Sequence, residues 1–357
     1  MISSPTDPSA RSGTEGLSAV PFEGSDAEWD SMVAEFEGST FCHLGAWRGI
    51  MTDVLGHEAH YRVAEDEAGA TVGLLPMVRV RSRLFGSYLL SMPFLSYGGP
   101  LGNRAARDFL GRHAVEEAAR LKVDLLELRA RVPIPGELRT SHRKVTVLMG
   151  LPGSRDALWE DQLKAKVRSQ IRRPLKEGME TRMGPDQLDP FYRVFSENMR
   201  DLGTPVLPRR FFQAIQEGLP QQVLFCVVEW KGVPVAAGCG FLWNGEFEVT
   251  WAGALRRHSR MAPNMLLYWA LMEEALARDA HTFNFGRCSP DSGTHRFKRQ
   301  WGGEDHPLPW AQWSPGEVRA TPNPDSGRLI RLATAVWKKL PLGLANRVGP
   351  MLSRGLP

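Results

Sequence analysis

The densest group of residues able to do chemistry lies between Thr282 and Trp313. An alternating, strand-like Thr282-Phe283-Asn284-Phe285 breaks at Gly286, and Arg287, Ser289, Asp291, His295, Arg296, Lys298 and Arg299 follow. A strand that delivers a Gly-broken, cationic loop is a common way to build a site for an anionic group. A second cluster, Lys164 to Lys176, places Lys164, Arg168 and Arg172 four residues apart on a predicted helix, with Lys166 beside them. It has no acidic residue between Asp161 and Glu177 to neutralise it at i,i+4. That pattern reads equally as a solvated face and as a surface for phosphates of a nucleotide, a tRNA or a lipid diphosphate.

Two further stretches are weaker. Asn198, Arg200 and Asp201 stand at the end of a predicted helix, where Gly203 and Pro205 act as stop signals. Arg256 to Asn264 joins a strand to a helix, a place where backbone N–H groups can hold a phosphate. No glycine stands between Gly253 and Gly286, and Pro263 removes one donor, which weighs against a coenzyme A pyrophosphate. The chain carries no HExxH, GxSxG, P-loop lysine or GxGxxG. Cys42, Cys226, Cys239 and Cys288 show no metal-ligand spacing. No metal is expected, and the cysteines read as reduced thiols of a cytoplasmic protein.

The elements that must position these residues follow one plan twice. Helix 26–36, helix 43–55, a hairpin over 60–79, strand 84–90, helix 105–122 and strand 125–129 make the first pass. Helices 158–177 and 189–201, a hairpin over 223–243, strand 246–252, helix 264–277 and strand 282–285 make the second. An internal duplication accounts for that order. Residues 1–20 read as a disordered leader, 21–150 and 151–315 as the two α/β halves, and 321–357 as a basic amphipathic helical tail. The 357 residues, 42% hydrophobic and 24% charged with net charge +4, suit two soluble domains. No run of about 18 apolar residues marks a membrane span.

The chain resembles the FemAB-like proteins of the acetyltransferase (GNAT) superfamily, in particular the subgroup associated with the exosortase/PEP-CTERM system. The resemblance is carried by Phe41 to Leu44 with Trp47, Gly56-His57, Leu74 to Pro76, Ser82 to Gly86, Pro93 to Pro100 and Glu127 to Arg129. The second half adds Lys166 to Gly178, Asn198 to Pro205, Phe283 to Trp301 with Phe297-Lys298, and the tail from Pro341 to Pro350.

The resemblance implies a mixed α/β fold of two tandem GNAT-type acyltransferase domains. It implies aminoacyl or acyl transfer onto a cell-envelope or exopolysaccharide precursor, with aminoacyl-tRNA or an acyl-CoA as donor and no resident cofactor. An acetyl-CoA-dependent N-acetyltransferase and a non-catalytic glycan- or partner-binding scaffold are the alternatives. Amide formation from an activated ester needs in-line positioning, a proton acceptor and oxyanion stabilisation. On that basis Arg287 and Lys298 are expected to orient the anionic group or the oxyanion. Asn284 and Ser289 would supply hydrogen bonds, and Asp291 would relay the proton. Lys166, Arg168 and Arg172 would contact phosphates, Asn198 and Arg200 would face substrate, and Tyr97 and Trp251 would line the acceptor channel. The tail is expected either to attach reversibly to the inner membrane face or to dock on the body.

Overall fold

The structure, a computed structural model, describes residues 16–82, 85–136, 138–316 and 328–355. The first half supplies β1 (Ser18–Pro21), β2 (Glu58–Ala59), β3 (Arg62–Glu65), β4 (Thr71–Leu75), β5 (Val78–Ser82), β6 (Gly86–Leu90), β7 (Leu101–Gly102), β8 (Leu125–Leu128) and β9 (Arg139–Ser141). The second supplies β10 (Val145–Gly150), β11 (Met179–Met183), β12 (Val223–Trp230), β13 (Val233–Trp243), β14 (Glu246–Ala254), β15 (Thr282–Cys288) and β16 (Glu304–Pro307), and the last strand is β17 (Trp310–Trp313). One sheet runs β1-β3-β4-β7, a second β2-β5-β6-β8-β17-β9, and a third β11-β12-β13-β14-β15-β10-β16.

The duplication is visible in the ladders. In each half one parallel pair sits among antiparallel neighbours: β6 with β8, and β14 with β15. Each pair is joined through a helix, Arg104–Arg120 in the first half and Pro263–Ala277 in the second. That connection is what a parallel pair requires. In register, Leu90 opposite Glu127 corresponds to Glu248 opposite Asn284.

Several boundaries differ from the sequence reading. The leader expected over 1–20 falls largely outside the described residues, and its end forms β1, which pairs with β3 and packs Val20 on the core. The helix expected over 158–177 is interrupted: a π-type turn at Leu158–Gln162 ends at an extended Leu163, and Ala165–Lys176 starts afresh. The two strands after helix Gly293–Arg299 are split between the halves. β16 pairs with β10, whereas β17 crosses back to pair with β8 and β9 of the first half. This exchange buries Trp310 and Ala311 in the first half and ties the two halves together.

The largest core is shared. Phe41 of the first half stacks on Phe241 of β13, ring centroids 4.2 Å apart, and Trp47 packs beside both. Phe211 and Trp251 extend the cluster. Burying these rings makes the interface between the halves part of the folded core, at about 1.5–3 kcal/mol for a large apolar side chain. The C-terminal end is helical, Arg328–Trp337 and Leu342–Ser353. Among the described residues no helix is long and apolar enough to cross a membrane.

Candidate active site

β14 and β15 pair only over Glu246–Thr282, Phe247–Phe283 and Glu248–Asn284, although both strands continue. Two irregularities drive them apart. In β14, Cys239 faces Trp251 and Gly240 faces Val249, so Thr250 is an extra, bulged residue. In β15, Thr146 faces Arg287 and Leu148 faces Asn284, so the strand bulges at Phe285–Gly286. Gly286 has φ 73, and a Cβ there would lie 2.4 Å from the Val249 carbonyl oxygen, so only glycine fits. The strands fork beyond these bulges. The fork opens into a cavity of about 370 Å³ lined by Phe94, Ser96, Phe195, Met199, Thr250, Trp251, Arg287 and Ser353, among others.

At the base of the fork sits a buried polar network drawn from both halves. Ser96 Oγ donates to Glu248 Oε1 at 3.1 Å, and Thr250 Oγ1 lies 3.5 Å from the same oxygen. The Asn284 amide nitrogen lies 3.3 Å from Glu248 Oε2, 2.7 Å from Glu246 Oε1 and 3.1 Å from Tyr97 Oη. Its two hydrogens thus face three acceptors. The Asn284 carbonyl oxygen accepts from Thr146 Oγ1 and from the Gly286 N–H, which fixes the orientation of the amide. Arg131 donates to Glu246 Oε2 at 2.7 Å and stacks on the Tyr97 ring.

Glu248 is 2% exposed. Burial, and then repulsion from Glu246, pushes its carboxyl up to about 7, against the pull of Ser96 and the nearby cations. A carboxyl poised near neutrality, one hydrogen bond behind the Ser96 that lines the cavity, is suited to accept a proton. Burial holds the Tyr97 hydroxyl and the Cys42 thiol well above their ordinary ranges, so both stay protonated.

The expected site residues divide into those the fold brings together and those it does not. Asn284 and Tyr97 meet in the network, and Arg287 and Trp251 line the cavity. Arg287 does not present a free cation. Its guanidinium donates to the carbonyls of Leu95 at 2.6 Å and Phe94 at 3.3 Å and lies over Trp310. Burial and the neighbouring Arg129 pull it down to about 10. Lys298 is likewise engaged: Nζ donates to the carbonyls of Gly286 at 2.7 Å and Arg287 at 3.0 Å, and burial pulls it down to about 8. Lys298 thus serves backbone oxygens of β15 at the fork, and Arg287 those of the loop that follows β6.

The remaining expectations are relocated. Ser289 accepts from Lys144 Nζ. Asp291 is exposed, at φ 61, in the turn before helix Gly293–Arg299, so the buried carboxylate at the fork is Glu248 rather than Asp291. Burial raises the Cys288 thiol above its ordinary range. Arg168 is bound to the Trp159 and Glu160 carbonyls and the Glu160 carboxylate, and Arg172 lies over the Trp159 ring. Lys166 is exposed, and none of the three is among the residues lining the fork cavity. Asn198 packs over Gly253, and Arg200 is held by Asp201 and the Leu340 carbonyl.

The sequence reading missed Glu248, Glu246, Ser96, Thr250 and Arg131. A usable signal was present: Glu246, Glu248 and Thr250 alternate on one face of a strand whose neighbours on both sides are strands. Ser96 lines the fork cavity while its neighbour Tyr97 lines a second cavity, of about 500 Å³, with His43, Arg107, Arg129 and Arg131.

Residues 162–299, which contain the fork, match the family model for the Acetyltransferase (GNAT) domain. No curated protein matches the chain by sequence. Among solved structures, FemX is similar over 84% of this chain and 98% of its own, at 13% identity and a TM-score of 0.62. The C-terminal domain of a candidate lysylphosphatidylglycerol synthetase from Agrobacterium fabrum is similar over 82% of this chain and 93% of its own, at 14% identity and a TM-score of 0.54. A tandem GNAT protein from the clavulanic acid biosynthesis pathway is similar over 85% of this chain and 99% of its own, at 14% identity and a TM-score of 0.51. At these identities the likeness is one of fold. The chain has a mixed α/β, tandem GNAT fold with a helical C-terminal end, and its second half carries the segment that matches the GNAT domain.

Proposed function

We propose that the chain is an aminoacyl or acyl transferase of the FemAB type. In this reading the acceptor amine attacks the carbonyl carbon of an activated acyl ester in the fork cavity. The new C–N bond forms as the bond from carbon to the donor's leaving oxygen, or to sulfur in a thioester, breaks. The amine proton passes to Glu248 and from there to the leaving group. The observation that carries the reading is Glu248 itself: a buried carboxyl held near neutrality between Ser96 and Asn284, beside a cavity that opens where two parallel strands part. The fold shared with FemX and with a synthetase of an aminoacylated lipid supports the aminoacyl form.

The narrower form takes an envelope or exopolysaccharide precursor as acceptor and aminoacyl-tRNA as donor, in an exosortase/PEP-CTERM setting. It rests on the short motifs of the resemblance. A second reading, acetyl-CoA-dependent N-acetylation, is favoured by the GNAT domain match over residues 162–299. The same fork would serve it. A binding scaffold has no need of a carboxyl held at neutrality inside the core, where desolvation disfavours its charge.

The test uses purified wild-type protein and Glu248→Gln with an envelope-precursor extract, supplied with an aminoacyl-tRNA pool or with acetyl-CoA. Mass spectrometry reads the mass added to the acceptor. An aminoacyl increment that depends on Glu248 supports the leading reading, and an acetyl increment promotes the second. Ligand binding without turnover by either donor would overturn both.

A further inference from the structure

Each of the two C-terminal helices leaves large apolar side chains facing outward. On Arg328–Trp337, Thr334 and Lys338 face the body, because a side chain at Gly203 would run into Thr334 Cγ2 at 2.4 Å and Lys338 Cε at 3.0 Å. Leu332 and Val336 share a stripe on roughly the opposite side, at about 3.6 residues per turn, and are 62% and 56% exposed. On Leu342–Ser353 the small residues Ala345, Gly349 and Ser353 turn inward, with Gly349 against Val206. Leu344 and Met351, seven residues apart on one stripe, are 47% and 67% exposed.

The tail is nonetheless docked. Arg200 donates to the Leu340 carbonyl at 2.9 Å, Asn346 donates to Ser196 at 3.3 Å, and Ser353 lines the fork cavity. An amphipathic helix ordinarily buries its apolar stripe, and an apolar stripe left outside on a docked element marks a surface that another phase covers. The charges say which. From residue 326 to the end the chain has no Asp or Glu, while Arg331, Lys338, Lys339, Arg347 and Arg354 all stand on the two helices or directly beside them. Arg347 and Arg354 form a stripe next to that of Leu344 and Met351.

We propose that this face is a docking surface for an anionic lipid bilayer. Leu332, Val336, Leu344 and Met351 enter the headgroup–acyl boundary, and Arg331, Lys339, Arg347 and Arg354 sit among the lipid phosphates. The assignment stands apart from the reaction at the fork. Where the transferase reading also holds, the same tail that rests on the bilayer forms part of the cavity wall through Ser353, which favours an acceptor presented from the membrane.

The experiment is flotation of the full chain with vesicles of phosphatidylcholine alone and of phosphatidylcholine mixed equally with phosphatidylglycerol. The expected result is binding to the mixed vesicles only, weakened about tenfold or more by Leu332→Glu with Val336→Glu, and likewise by Lys339→Glu with Arg347→Glu. Circular dichroism and the melting temperature should be unchanged for the apolar pair, since both residues point to solvent. Failure to bind the mixed vesicles, equal binding to neutral vesicles, or binding that the apolar variant leaves intact would each overturn the proposal. So would self-association that the apolar variant abolishes in the absence of vesicle binding, which would assign the face to a second copy. None of these outcomes depends on turnover, so the proposed function is tested separately.

Discussion

Ser96 of the first half donates a hydrogen bond to Glu248 of the second at 3.1 Å, across 152 residues of sequence. The bond stabilises the charged form of a carboxyl that burial and Glu246 otherwise push up to about 7. Each half thus contributes to the ionisation state of the group on which the proposed reaction turns. Ser96→Ala should raise the apparent pKa of the pH–rate profile by about one unit. A profile that stays in place would mean that Glu248 is not the titrating group.

Asn284→Asp should move that profile in the same direction. Asn284 donates toward Glu246, Glu248 and Tyr97, and an aspartate there would remove those donors and add a third negative charge. At neutral pH the rate should fall, with recovery above pH 8. The check is the full pH profile beside that of wild type, because a loss that is uniform in pH would indicate a merely structural defect.

Glu248→Gln should be as stable as wild type in acid and more stable at neutral pH. The folded carboxyl is raised to about 7 from its ordinary value of 4.5, so the native state holds a proton that the unfolded state has released. Between those values stability of the wild type falls with rising pH, and the penalty is complete above the folded value. The glutamine variant has no such term. Melting temperatures from pH 4 to pH 8 should diverge in favour of the variant as pH rises.

Lys298→Ala should destabilise the protein by about 2 to 3 kcal/mol, since it leaves the Gly286 and Arg287 carbonyls without their buried donor. Denaturant titration of the single variant checks this. A change below about 0.5 kcal/mol would show that water takes over the two carbonyls.

Much of the fold was legible because it rests on local signals. The repeated element order foreshadowed the two parallel pairs, and the break at Gly286 marked the place where β15 leaves β14. Asn284 and Arg287 were found for that reason. Glu248 was not, because alternation along a strand shows that Glu246, Glu248 and Thr250 share a face but not that the other half covers it. Arg287 and Lys298 read as free cations because a sequence shows charge without showing the carbonyls that would use it. The crossing of β17 into the first sheet was equally hidden: pairing partners 185 residues apart, such as Gln312 and Glu127, have no local signature.

The central claim is that Glu248 takes the proton in acyl transfer. Single-turnover rates of amide formation against pH, for wild type and Glu248→Gln with the productive donor, test it most directly. The account predicts a wild-type rate that rises about tenfold per pH unit below 7 and then levels. For the variant it predicts a rate lower by about 10² to 10⁴ with that inflection gone. A Glu248→Gln enzyme with the wild-type rate, or with the same inflection near pH 7, would contradict it.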